Sequence, residues 1–340
     1  MTKMLAAVYE GPNTVGVKEV EVPRPAPGEA LIRVAYAGIC GSDMLIYRGG
    51  HPRVKPPLIM GHEFAGTIVD VNTTGTDLKP GDQVVVEPLL SCGRCEACRT
   101  GNYHVCQTLG LLGIDRDGGF AEYVTAAVDK IYKVPATLSP DVAALVEPVA
   151  VAVHAVRRSN VKVGDRVVVL GAGPIGQLVT QVLLAAGAGQ VLVSELGEGR
   201  RKRVAELGVT TIDPAVCDPV VEVKKATGGT GADVVFEVVG AAPTTAQVVA
   251  MAKVRGEVVF VGIGARPLPL DLQNVSFKEQ NLVGTRVYSF RDYEIALGLL
   301  ATGKIRPELV VTHRLPLTEV QYGFDLMAEG DAALKILLKP

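Results

Sequence analysis

Residues 165–176 read DRVVVLGAGPIG, and the fold follows from how that stretch divides. Val167 to Leu170 form an unbroken apolar run, the pattern of a parallel strand covered on both faces. Gly171, Gly173 and Gly176 then give GxGxxG, with Pro174 and Ile175 inside the motif. The glycines serve a tight turn, close backbone approach to a pyrophosphate, and close packing of helix on strand. The following helix would aim its free N–H groups at an anion. A glycine-rich turn can also be a plain strand-to-helix connection, so the surrounding chain has to decide.

Downstream, the apolar strands VVVL, QVLVS, DVVFEVV and EVVFVGI alternate with helices expected over residues 175–186, 198–207, 219–226 and 244–252. That alternation predicts parallel βαβ units in a doubly wound Rossmann sheet. A further strand over 281–288 would lie at the sheet edge, followed by a helix over 292–301. Glu195 ends the second strand, 19 positions beyond Gly176. A carboxylate there accepts hydrogen bonds from an adenosine ribose and repels a 2′-phosphate, which favours NAD over NADP. Arg200 and Arg201 follow closely and could instead hold a phosphate. The expected cofactor-binding set is Gly171, Gly173, Pro174, Ile175, Gly176, Glu195 and Arg200. The tail from Ile305, with HRLPL and a final LKILLK, has no place in that sheet and should return to the first domain.

Upstream, the texture is different. From the start to about Tyr132, short apolar or alternating runs at 30–34, 66–71, 83–86 and 120–124 are separated by turn clusters such as RPAPGE and LKPGD, with no helical pattern between them. This predicts a β-rich domain with long loops. LVEPVAVAVHAV, residues 145–156, reads as a helix entered after Pro148 and marks the junction. With 48% hydrophobic and 21% charged residues in 340, the composition is that of about two globular domains. A net charge of −2 recommends neither nucleic acid nor an anionic membrane as partner. No apolar run approaches the ~20 residues that span a bilayer, and the first residues are too short a run for a signal peptide, so a cytoplasmic protein is expected.

Cys92, Cys95, Cys98 and Cys106 form CxxCxxCx7C on a turn-rich loop. Four thiolates at this spacing can close a tetrahedron around zinc with no open position, which makes a structural rather than catalytic site. An iron–sulfur cluster is also allowed by four thiolates. His104 is a bystander two positions from Cys106. Cys40 in GICGSD, and His62 and Glu63 in GHEFAG, would on their own be ordinary core or surface residues.

Over its whole length, however, the chain resembles the zinc-dependent medium-chain alcohol dehydrogenases. GICGSD, PLIMGHEFAGTIVDV, KPGDQVVVEPLLSCGRCEACRTGNYHVC, LVEPVAVAVHAV and GAGPIG carry the likeness, which is nearest to the polyol branch of sorbitol and butanediol dehydrogenases. The resemblance implies an α/β fold: a GroES-like catalytic domain of residues 1–148 and 290–340, and an NAD-binding Rossmann domain of residues 149–289. NAD and zinc would face each other across a cleft. Cys40 and His62 match ligands of a catalytic zinc, Glu63 an acid that binds it directly or through water, and Glu147 a further acid of the polyol enzymes. Asp43 matches the carboxylate that orients the imidazole, and Ser42 the hydroxyl that takes the alcohol proton. The activity implied is reversible oxidation of a secondary alcohol or polyol to a ketone, in a homo-oligomer (dimer or tetramer) joined along Rossmann edge strands. One departure is Leu45, where many relatives have a histidine that passes the proton onward. His51 is a possible substitute, more simply read as an exposed loop histidine. His154 is expected to pack in the junction helix and His313 in a tail strand. Arg286 and Tyr288 fall near a segment that borders the polyol pocket, and Cys217 is structural. The rival readings are L-threonine 3-dehydrogenase, a zinc-free reductase of the superfamily, and a non-catalytic NAD-binding protein.

Overall fold

A computed structural model describes residues 2–264, 266–331 and 333–340. The chain divides into two compact units, Met1–Glu147 with Ser289–Gly303 and Val311–Pro340, and Pro148–Tyr288 with Lys304–Val310.

Among the described residues, the second unit holds a six-stranded parallel sheet. Its order is Thr210–Ile212, Gln190–Ser194, Arg166–Leu170, Ala232–Glu237, Ala252–Phe260, Asn281–Gly284. Counted along the unit this is 3-2-1-4-5-6, the Rossmann order, in which the direction of strand addition reverses between the first and fourth strands while all strands stay parallel. Val167, Val168, Val169 and Leu170 have no exposed surface, each contributing about 1.5–3 kcal/mol by burial. The edge strand stops at Gly284, short of the expected 288, because its partner strand ends at Phe260, the residue paired with Gly284; beyond it Val287 takes a φ of 42°. Residues 304–310, expected with the first domain, cluster with this unit, where the Arg306 N–H donates to Gln181 Oε1 at 2.6 Å.

The first unit is built on a three-stranded and a seven-stranded sheet. The strand Glu29–Gly38 pairs antiparallel with Glu63–Val71, with Tyr123–Ala127 and with the C-terminal strand Lys335–Lys339. From Val311 on, the tail therefore does return to this unit. Its core joins Ile32, Phe64, Ile68, Val84, Phe120 and Ile336. Two strands, Lys3–Gly11 and Thr14–Glu21, and the helix Gly41–Tyr47 interrupt a region in which the sequence pattern showed neither. The helix is only seven residues long and its capping box uses Cys40 with Asp43, a pairing outside the usual Ser/Thr with Glu/Gln signature. The junction helix, Val146–Arg158, begins two residues before Pro148, since proline is tolerated in a first turn. That places Glu147 in its first turn.

Candidate active site and metal centres

The end of the strand Glu29–Gly38 delivers the chain into the helix Gly41–Tyr47, and the adjacent strand Glu63–Val71 begins just after His62. Sheet pairing thus joins two motifs 22 residues apart in sequence. Candidate ligand atoms of Cys40, His62 and Glu63 all lie within 4.8 Å of one another. His62 and Glu63 are buried at 3% and 1% exposure. The Cys40 N–H donates to Asp43 Oδ2 at 2.8 Å, and the other carboxylate oxygen stands 3.6 Å from His62 Nδ1. Ser42 Oγ is 3.4 Å from His62 Nε2. The imidazole therefore has one nitrogen toward Asp43 and the other toward Cys40 and Ser42, the arrangement in which a carboxylate orients a metal-binding histidine.

The electrostatics call for a cation. Burial by itself lowers the His62 pKa, but Asp43, Cys40 and Glu147 outweigh it and hold it well above the usual histidine range. Burial raises Asp43, against the pull of His62. Both His62 Nδ1 and Asp43 Oδ1 are buried without a hydrogen-bond partner. A partly buried thiol with a buried imidazole and carboxylates forms a donor set that suits zinc with a position left for substrate. Glu147 is 6% exposed and acts on His62 through its charge, but does not join the 4.8 Å donor group.

Sequence reasoning missed Lys335. This lysine is 2% exposed, and its Nζ donates to both oxygens of Glu63 at 2.8 and 2.7 Å and to the Ile39 carbonyl at 3.1 Å. A Cβ at Gly38 would sit 2.3 Å from Glu63 Oε2, so that glycine leaves the carboxylate its room. Of the other candidates, Leu45 is exposed on the short helix, and His51 is half-buried and accepts the Arg53 N–H at 3.4 Å. His154 is buried in the junction helix, and His313, in a tail strand, has Nδ1 3.0 Å from Thr312 Oγ1. Cys217 donates to the Asp213 carbonyl.

The four clustered sulfurs form a second centre. Cys92 and Cys98 are 4.0 Å apart, Cys95 and Cys98 3.5 Å, Cys95 and Cys106 3.9 Å. A tetrahedron with zinc–sulfur bonds of about 2.3 Å has edges of about 3.8 Å, so the separations fit a single zinc; an iron–sulfur cluster would spread its thiolates over separate irons. Backbone N–H groups of Arg94 and Cys95 bring the Cys92 thiol down to about 6, whereas burial and its sulfur neighbours push Cys98 up to about 12. Beneath this lobe lies Glu87, 1% exposed, which accepts from Lys130 Nζ at 2.8 Å, Tyr132 OH at 2.9 Å and Tyr103 OH at 3.0 Å. Tyr103 lies between Cys98 and Cys106, so this carboxylate ties the cysteine loop to the sheet.

In the second unit, Gly171 has φ +101°, and a Cβ at Gly176 would fall 2.0 Å from the Gly171 carbonyl oxygen. At Gly173 the same position meets only Arg200 Nη1, at 4.0 Å. The turn is therefore closed toward its own helix and open on the side of Arg200, which suits a pyrophosphate. Glu195 accepts the Ala172 N–H at 2.6 Å and the Gly197 N–H at 2.8 Å, standing beside the turn as its spacing predicted. Glu237, unremarked in the sequence, is 1% exposed and accepts from Thr244 Oγ1 and from the N–H groups of Val239 and Gly240, shaping the fourth strand's exit at the topological switch point.

Two family descriptions match: "Alcohol dehydrogenase GroES-like domain" over residues 26–136, and "Zinc-binding dehydrogenase" over residues 174–302. The chain belongs to the zinc-dependent medium-chain alcohol dehydrogenases. It is 40% identical over 337 residues to 2-dehydro-3-deoxy-L-galactonate 5-dehydrogenase of Pseudoalteromonas atlantica, covering 99% of this chain and 98% of that one. It is 36% identical to (R,R)-butanediol dehydrogenase of Bacillus subtilis over 99% of this chain and 100% of that one. L-threonine 3-dehydrogenase of Bacillus velezensis is likewise 36% identical, over 98% and 99%. Among solved structures, a zinc-binding dehydrogenase of Sinorhizobium meliloti bound to NADP is 33% identical, and an alcohol dehydrogenase of Escherichia coli complexed with NADH is 30% identical. Each has a TM-score of 0.93 and full coverage of both chains. As a medium-chain dehydrogenase of the polyol branch, the protein is an oxidoreductase acting on CH–OH groups of small molecules, with zinc and a nicotinamide dinucleotide as cofactors. Among the described residues, no helix is long and apolar enough to cross a membrane.

Proposed function

We propose that this enzyme oxidises a secondary hydroxyl of a polyol or sugar acid to a ketone while reducing NAD, with Cys40, His62 and Glu63 as catalytic zinc ligands and Glu147 alongside them. The convergence of Cys40, His62 and Glu63 donors within 4.8 Å carries the reading. Zinc supplies the Lewis acidity that lowers an alcohol's pKa, and the dinucleotide supplies the hydride acceptor. The protein's own residues do the rest. Asp43 orients the His62 ring, Lys335 holds the Glu63 carboxylate in place through both of its oxygens, and Ser42 Oγ takes the alcohol proton. Cys92, Cys95, Cys98 and Cys106 hold a structural zinc. Gly171, Gly173, Pro174, Ile175 and Gly176 receive the pyrophosphate with Arg200, and Glu195 receives the adenosine ribose.

The test is Cys40→Ser: NADH formation is abolished, bound zinc falls by about one per chain, and NAD binding survives. Full activity in that variant refutes the assignment. The equal identity to an L-threonine 3-dehydrogenase supports a second reading, which initial rates with threonine, 2,3-butanediol, sorbitol and aldonic acids separate. We also propose a cytoplasmic homo-oligomer, dimer or tetramer. Leu272, Phe277 and Leu282, exposed by the edge strand at 63%, 75% and 38%, support association there; light scattering in solution tests it.

A further inference from the structure

The loop after the strand Gln190–Ser194 is held from two sides. Glu195 grips it through Gly197, as described. From the helix Glu198–Ala205, Arg201 reaches back to donate to the Glu195 carbonyl at 2.8 Å and to the Leu196 carbonyl, while its second terminal nitrogen meets Asp213 Oδ2 at 2.6 Å. Both side chains are mostly buried, at 16% and 24% exposure. Asp213 follows the neighbouring strand Thr210–Ile212, and its other oxygen accepts the Ala215 N–H at 2.9 Å. The pair therefore sits at the C-terminal ends of two adjacent strands, beside the carboxylate that would meet the ribose.

This helix carries four cations in a row, Arg200 to Arg203. Such a run next to a ribose would draw a 2′-phosphate, because guanidinium groups bind phosphate strongly and directionally. Glu195 opposes it with one charge. Lys202 is engaged with Glu198, and Arg201 with Asp213. Relatives on this fold are solved with NADP and with NADH, so the choice between them is made by individual residues. Resting on the dinucleotide reading above, we infer that Asp213 is a specificity-determining residue. By neutralising Arg201 and fixing it to the loop carbonyls, it withholds a cation that would otherwise stabilise a 2′-phosphate.

Calorimetric titration with 2′,5′-ADP and 5′-AMP tests this in wild type, Asp213→Asn and Arg201→Gln. Asparagine keeps the oxygen that accepts the Ala215 N–H. In Asp213→Asn the ratio of 2′,5′-ADP to 5′-AMP affinity should rise about fivefold, the effect of one uncompensated charge within ~8 Å of the phosphate, and the rise should shrink in ~0.5 M salt. In Arg201→Gln, where Asp213 is left unpaired, the ratio should fall about threefold. A structural role alone would weaken both ligands together. A ratio unchanged in Asp213→Asn, or moving the same way in both variants, overturns the inference. If Asp213→Asn does not fold, Asp213→Ser takes its place with the same expected rise, and a constant or falling ratio in it overturns the inference. If wild type binds neither nucleotide, the dinucleotide reading itself falls, and the inference with it.

Discussion

Replacing Glu87 with glutamine keeps the shape of the side chain and removes the charge on which Lys130, Tyr103 and Tyr132 converge. The carboxylate is fully buried, and the Lys130 side chain is 17% exposed. Breaking a buried ion pair from one side costs about 3–5 kcal/mol. Partial exposure of Lys130, and the one or two hydrogen bonds a glutamine oxygen still accepts, put the expected cost at the lower end, about 3 kcal/mol. With a urea m-value of about 3 kcal/mol/M for a unit of this size, the midpoint of the first unit's unfolding drops by about 1 M. The chain has nine tyrosines and no tryptophan, so tyrosine emission follows the transition. Tyr103→Phe removes a single donor and should cost about 1 kcal/mol in wild type but under ~0.5 kcal/mol in Glu87→Gln, since the two share one network. Because Tyr103 stands between two cysteines of the metal lobe, Glu87→Gln should also surrender one zinc to a chelator faster. Unchanged midpoint and zinc release in Glu87→Gln would refute the view that this carboxylate anchors the lobe.

Three further outcomes are expected. Lys335→Met strands the Glu63 charge in a dry pocket and should destabilise the metal-free protein by about 3–5 kcal/mol, less when zinc is bound; equal losses in chelated and zinc-loaded protein would refute that. Gly176→Ala forces a methyl group onto the Gly171 carbonyl and should weaken NAD binding at least ~100-fold by equilibrium dialysis, an effect absent if the turn does not hold the pyrophosphate. Alkaline titration should show Tyr103, Tyr132 and Tyr293 silent in the folded protein. Burial first, and then the charges of Glu87 and Glu147, raise their pKa values above the ordinary range. The folded values lie above the unfolded value of about 10, so the stabilisation they provide is complete below pH ~10 and is lost as pH rises further. Their tyrosinate absorbance should thus appear together with unfolding; gradual ionisation before it would contradict their burial.

What the sequence by itself determined was whatever depends on spacing within a short stretch. GxGxxG after an apolar strand, a carboxylate at the end of the next strand, and four cysteines within one loop are local patterns, and their chemistry follows from geometry that neighbouring residues impose. Cys40, His62 and Glu63 were legible only through the likeness of whole motifs, since a single cysteine or histidine has no spacing to read. Tertiary structure alone decided the partners that complete each site. Lys335 meets Glu63 across 272 residues and Lys130 meets Glu87 across 43, while Arg201 reaches Asp213 only because two parallel strands end side by side. A charge written in a sequence is by default a solvated one. Only the fold, by burying Lys335 and Glu87 and fixing their distances, turns such charges into supports of the proposed metal centres.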